Sequence, residues 1–238
     1  MKIAGHTAKI TSLFESTPQY FRAYLTEDAP EFSVTVTRED IAFEQADLLE
    51  EAHRDGFKPR VFTDPFLERQ AIQRAFAEYL FAFDTLLVHG SALAVDVQGF
   101  LFTAHSGTGK STHTRLWQQV LGDRVVIVND DKPFIQLTHR GAILHGSPWS
   151  GKHGLDRNLS VPLKGICILE RGAENHIHPI PPEEGLAMIR KQSYVSLNAS
   201  NAPAFDRLTL ALAQQVPLWK LACTKNPQAA QIAQKAML

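Results

Sequence analysis

The densest chemistry in the chain lies in TAHSGTGKSTHTRLW, residues 103 to 117. Two glycines, Gly107 and Gly109, precede Lys110, Ser111 and Thr112, and that order suits capture of a polyphosphate. A glycine-bearing loop lets main-chain N–H groups wrap the anion, and the start of a helix adds partial positive charge. The lysine supplies a fixed cation, and the serine hydroxyl reaches magnesium. The expected nucleotide-binding residues are therefore Ser106, Gly107, Thr108, Gly109, Lys110, Ser111 and Thr112, with Ser111 also a metal ligand. The full pattern opens on a glycine, and Ala104 stands in that place. At a strand end with negative φ, its methyl group costs little. The competing reading is a chance match. The strand-like run before the loop and the helix-like run after it are the context the motif needs.

Further on, VVIVNDDKP ends an apolar run in Asp130 and Asp131. Acids at the carboxyl end of a strand border the ligand crevice of an open α/β sheet. Two adjacent carboxylates point in different directions, so one is free to hold magnesium while the other orients or deprotonates an acceptor hydroxyl. Which does which stays open, and a solvated Asp-Asp turn is the bland alternative. His89 interrupts the apolar run LLVHGSALAV, as a satisfied core histidine or as a partner that tunes one of the acids. The stretch HGSPWSGKHGLDRN, residues 145 to 158, is irregular, cationic and aromatic, and suits acceptor recognition from a loop. Lys152 or Arg157 would stabilise charge on a transferring phosphoryl group or hold an acceptor carboxylate, with Trp149 and Arg157 as acceptor-binding residues. The competing reading is a surface turn whose tryptophan plugs an apolar gap.

These residues need elements to position them. TLLVHGSALAVDVQGFLFTAHSG predicts two strand-like runs joined at a DVQG turn and feeding the loop. A helix is expected from Lys110 to about Leu121, stopped by Gly122. RVVIVN, VPLKGICILERG, NHIHPI and PLWKLACT read as strands; PPEEGLAMIRKQS, APAFDRLTLALAQQ and NPQAAQIAQKAML read as helices. Upstream, PFLERQAIQRAFAEYLFAF and IAFEQADLLEEAHRDG have helical spacing, while KIAGHTAKITSL and EFSVTVTRED read as short strands. The expectation is an α/β fold with a mixed sheet over residues 61–238, preceded by a small β-rich lobe over 1–60, the boundary lying in GFKPRVFTDPF.

VHGSALAVDVQGFLFTAHSGTGKSTHT followed by VNDD resembles the HPr kinase/phosphorylase catalytic domain, in which a His-Gly strand, a phosphate loop and an Asp-Asp strand follow in that order. HGSA at 89 to 92 and SGTGK at 106 to 110 are also similar to the ATP-dependent phosphoenolpyruvate carboxykinases. The resemblance covers about residues 85 to 135. It implies a P-loop kinase core, ATP and Mg²⁺, phosphate and metal roles for Lys110 and Ser111, and a base or metal-ligand role for Asp130 or Asp131, with His89 beside them. In the carboxykinases a lysine upstream of the histidine shares a second metal, and Gln70 stands at that position, which disfavours decarboxylation. The signature that follows the acids in HPr kinases is not recognisable either, which puts HPr itself in doubt as an acceptor. HPr kinases assemble into rings, so a homo-oligomer is a candidate assembly.

Composition bounds the rest. The 238 residues carry 24 Lys plus Arg against 25 Asp plus Glu, a net charge of −1 that gives no electrostatic reason to expect nucleic acid. No apolar run approaches the roughly 20 residues needed to span a bilayer. The start lacks the apolar core of a secretion signal. Two cysteines in apolar surroundings, Cys167 and Cys223, fit a reducing cytoplasm. The expected activity is ATP-dependent transfer of a phosphoryl group to a hydroxyl of a small molecule or of a peptide serine. A nucleotide-responsive regulator without transfer is the alternative of another class, and a minimal carboxykinase is the third.

Overall fold

The computed structural model describes residues 1–54, 56 and 58–238. The chain divides into two compact units, Met1–Tyr79 and Leu80–Leu238. The division thus falls about twenty residues beyond the expected bound at residue 60; Phe57, in the expected boundary stretch, lies outside the described residues.

The first unit contains β1 (Lys2–Ile3), β2 (His6–Thr11), α1 (Ser16–Tyr20), β3 (Phe32–Thr35), α2 (Arg38–Arg54) and α3 (Asp64–Leu80), the last ending one residue past the boundary. β1 pairs antiparallel and β3 parallel with β2. The expected β-rich character of residues 1–60 is corrected here, because the 17-residue α2 outweighs three short strands. Thr37 and Asp40 form a reciprocal cap at the start of α2: the Asp40 N–H donates to Thr37 Oγ1 at 3.2 Å and the Thr37 N–H to Asp40 Oδ2 at 2.9 Å.

The second unit is built on a nine-stranded mixed sheet. Its strands are β4 (Thr85–Leu87), β5 (Ser91–Val95), β6 (Gln98–Thr103), β7 (Val125–Asn129), β8 (Phe134–Thr138), β9 (Gly141–His145), β10 (Ser160–Arg171), β11 (His176–Ile180) and β12 (Leu218–Cys223). The helices are α4 (Lys110–Leu121), α5 (Pro182–Gln192), α6 (Ala202–Gln215) and α7 (Pro227–Met237). Strand order runs β4-β8-β9-β10-β6-β5-β7, with β12 and then β11 added beside the second half of β10.

Side-chain alternation sorts residues between two apolar layers. Ala92, Ala94, Leu101, Ile166 and Ile168 face a layer completed by Ile189 of α5 and Leu208 and Leu212 of α6. Leu93, Val95, Phe100, Phe102, Cys167 and Leu169 face the other, filled by Leu116 and Trp117 of α4 and Ala230, Ala233 and Met237 of α7. Helices therefore cover both faces of the sheet.

The topology brings the chemistry to one edge. β10 is parallel to β6 and β12, while β5 is antiparallel to both β6 and β7. Hence β6, β7, β10 and β12 all end where β5 begins. The phosphate loop, the acid pair and the His89–Gly90 segment leave or enter the sheet at that edge. β4 and β5 do not form one strand as their unbroken apolar run suggests. The chain steps between sheet halves at His89 and Gly90, whose N–H groups donate to the carbonyls of Gln192 at 2.7 Å and Asp131 at 2.9 Å.

Candidate functional site

The loop from Ala104 to Gly109 joins β6 to α4. Ala104 is fully buried in the core layer beneath α4 and does not take positive φ, so its methyl group packs without strain. Gly107 and Gly109 have φ of +75° and +118°, conformations that side-chain-bearing residues rarely adopt, which is why glycine is needed at these two points. α4 opens at Lys110 after Gly109 with no side-chain cap and no acid in its first turn, leaving its leading N–H groups available to an anion. Lys110 is buried and its Nζ donates to the Ala104 carbonyl at 3.3 Å. Burial holds its ammonium below the usual lysine value, against the raising influence of the two acids. Ser106 and Thr112 are exposed, and Gly107 is fastened from outside by Arg171 at the end of β10, whose Nη2 donates to the Gly107 carbonyl at 2.7 Å.

Asp130 and Asp131 follow β7 directly and occupy different environments. Asp130 is 3% exposed; Ser111 Oγ donates to its Oδ1 at 3.4 Å, while its Oδ2 is sealed from solvent with no hydrogen-bond partner among the described residues. Burial, then the neighbouring Asp131, pushes the Asp130 carboxyl above its ordinary value. Asp131 pairs with His89, Nε2 to Oδ1 at 3.3 Å, and lies 4.0 Å from Lys132 Nζ. Burial works to raise Asp131, but the His89 hydrogen bond together with Lys132 and Lys110 outweighs it and leaves the carboxyl below its ordinary value. Burial and the two lysines depress His89 despite its partner. The two side chains thus meet at the site edge, both His89 and Asp131 held below their ordinary values.

Asn129, the last residue of β7, organises this turn. Its Oδ1 accepts from the N–H groups of Asp131 and Lys132, both at 2.7 Å, and its Nδ2 donates to the Ser147 carbonyl at 2.7 Å. One buried amide thus fixes both the acid turn and the loop beyond β9. That loop folds back along β7, with the Asp130 N–H on the Leu155 carbonyl at 3.1 Å and the Arg157 N–H on the Val128 carbonyl at 2.9 Å. Gly151 rests on the acids so closely that a β-carbon there would lie 2.8 Å from Asp130 Oδ1.

The expected residues separate accordingly. Ser106 to Thr112, Asp130, Asp131 and His89 converge at one edge of the sheet. Lys152 and Arg157 are exposed on the loop that lies against the acids, and Lys152 has no hydrogen bond or ion pair among the described residues. Trp149 is corrected: it is 3% exposed, with its ring edge-on to Phe134 at 6.3 Å, so it packs the core and offers no surface to an acceptor. His113, next in the motif, is also a core residue, accepting from Trp117 Nε1 at 3.0 Å, and burial pushes its imidazole down to about 4. His176 and His178 stand exposed on β11, and no group of three His, Cys, Asp or Glu that would hold a metal occurs among the described residues. Magnesium does not require one, since it commonly takes one or two carboxylates with phosphate and water oxygens. The hard oxygens of Ser111 and Asp130, one sealed and unpartnered, fit that ion. Asn129, Lys132 and Arg171 were absent from the expected set. Only Lys132, next to the acids in NDDK, carried a signal that sequence alone offered.

On the other flank of α4, a cleft of about 200 Å³ lies between the helix and the ends of β10 and β12. Thr108, Gly109, Thr112 and Leu116 line one wall, and Arg171 and Lys225 stand on the other.

A family model for the SynChlorMet cassette protein ScmC matches residues 70–227. The chain belongs to the ScmC family. The matched region takes in the phosphate loop, both acids and His89, so the whole site is part of the ScmC-family portion of the chain. No curated protein matches the chain. Among solved structures, the Hpr(Ser) kinase/phosphatase from Coxiella burnetii is similar over 63% of this chain and 92% of its own, with 11% identity and a TM-score of 0.38. No helix among the described residues is long and apolar enough to cross a membrane.

Proposed function

We propose that this ScmC-family chain is a magnesium-dependent kinase that transfers the γ-phosphoryl group of ATP to a hydroxyl of a small molecule or a peptide serine. The observation that carries the reading is the meeting of Ser111 and the half-satisfied Asp130 at the uncapped start of α4. A sealed, unpartnered carboxylate oxygen is costly unless a cation completes it. When bound, magnesium would supply charge neutralisation of the phosphates.

The main-chain N–H groups of the loop and Lys110 hold the β- and γ-phosphates. The nucleoside occupies the cleft beside Arg171 and Lys225, and the terminal phosphate points to the flank that carries the acids. Asp131, ionised and oriented by neutral His89, accepts the hydroxyl proton as the acceptor oxygen bonds to the γ-phosphorus and the β–γ bridging oxygen leaves with ADP. Lys152 and Arg157, on the loop over the acids, meet the acceptor.

The test measures MgATP binding by calorimetry and ADP release over a pool of hydroxyl-bearing small molecules and serine peptides. Wild type should bind and turn over, whereas Asp131→Asn should keep its affinity and lose roughly 10²- to 10⁴-fold in turnover. Absence of heat with any nucleoside triphosphate and divalent cation rejects nucleotide binding. Binding without turnover over the whole pool favours the nucleotide-responsive regulator.

A further inference from the structure

Arg115 lies outside the expected set and carries an uncompensated charge. It follows Ser111 by one turn of α4 and shares its face. Helical side chains lean toward the N-terminus, so this one leans along the helix toward Ser111. The residue is half-buried; its Nε is sealed from solvent without a hydrogen-bond partner, and no ion pair holds its guanidinium among the described residues. It is near enough to Asp130 to oppose that acid's upward shift, yet Asp130 Oδ2 is sealed and unpartnered too. Arg115 Nε and Asp130 Oδ2 are thus two sealed, unpartnered polar atoms of opposite charge on the acid-bearing flank of the phosphate loop.

A guanidinium with one N–H sealed from water and unpartnered costs free energy that an arriving anion recovers. We infer that Arg115 binds oxygens of the terminal phosphate of the nucleotide, so that this residue distinguishes a nucleoside triphosphate from a diphosphate. The inference rests on the reading that the loop binds ATP. Its polarity comes from the layout of the edge: the cleft suited to the nucleoside lies on the β10–β12 flank, and Arg115, Asp130 and the Asp131–His89 pair belong to the β7 flank. Arginine's planar fork matches phosphate oxygens in pairs, which lysine does not. An acidic group on the acceptor would offer the same chemistry, so the measurement is made with no acceptor present.

The dissociation constants of MgATP and MgADP are compared in wild type, Arg115→Ala and Arg115→Lys. The expected result is a loss of about tenfold or more in MgATP affinity for Arg115→Ala, with MgADP changed less than twofold. Arg115→Lys should show a smaller loss with the same selectivity, and it serves alone if the alanine variant does not fold. Equal losses for both nucleotides, or a fall in melting temperature with no selective loss, would overturn the inference and leave Arg115 as a structural residue bridged by water. Failure of the wild-type protein to bind either nucleotide would reject the phosphate-loop reading instead.

Discussion

The two acids differ because of what each touches. Asp131 has His89, Lys132 and Lys110 around it and is held ionised, whereas Asp130 has one long hydrogen bond from Ser111 and a sealed oxygen. Burial raises the Asp130 carboxyl, so the folded protein binds its proton more tightly than the unfolded chain does. Stability is then lost as pH rises: the penalty is absent below the ordinary value of 3.8, grows above it, and is complete above the folded value. Asp130→Asn, measured without divalent cation, should raise the melting temperature at pH 7, and the gain should vanish as the pH falls below about 3.8. The same variant should lose its response to magnesium. A lower melting temperature at pH 7 would mean that the carboxylate is satisfied by a partner in the free protein. Sequence located the acids, but their unlike environments come from Gly151, Leu155 and Asn129 packing around the turn, and spacing along one strand does not encode that.

At the scale of elements, the phosphate loop was legible because its conformation is set locally. Gly107 and Gly109 supply positive φ, and Lys110 opens a helix whose limits match those expected. The missing first glycine is explained by its place: Ala104, just past the end of β6, does not take positive φ and buries its methyl group in the apolar layer under α4. Ala104→Gly, which restores the full motif, should therefore leave MgATP affinity within about twofold and lower stability by about 0.5–1 kcal/mol, through backbone entropy and the lost contact. Tighter binding on restoring the glycine would show that the alanine constrains the loop. The β8–β9 hairpin and the break between β4 and β5 were not legible. His89 and Gly90 sit in an apolar run that reads as continuous, and only pairing with Asp131 and Gln192, distant in sequence, turns the chain there. Trp149 was misjudged for a related reason: an irregular loop rich in glycine reads as surface, yet Asn129 pulls its backbone against β7 and the indole follows into the core.

At the scale of the molecule, the chain carries two units with separate cores. Phe32 stacks on Tyr79 at 3.8 Å and meets Phe76 edge-on at 5.1 Å within Met1–Tyr79, while the two apolar layers of Leu80–Leu238 enclose the sheet that holds the site. Units with their own cores commonly unfold as separate cooperative transitions. A ligand stabilises only the folded unit that binds it, by about 2.7 kcal/mol at a hundred times its dissociation constant. Every residue assigned to nucleotide, metal or acceptor lies beyond Leu80. Scanning calorimetry should therefore show two transitions, and MgATP should move one of them upward and leave the other in place. The transition that stays should respond to Phe76→Ala, which hollows the core of the first unit at a cost of about 3–5 kcal/mol, while the nucleotide-sensitive one does not. A single transition shifted whole by MgATP, and lowered whole by Phe76→Ala, would show that the two units fold as one and that binding at the strand-end edge is felt across the entire chain.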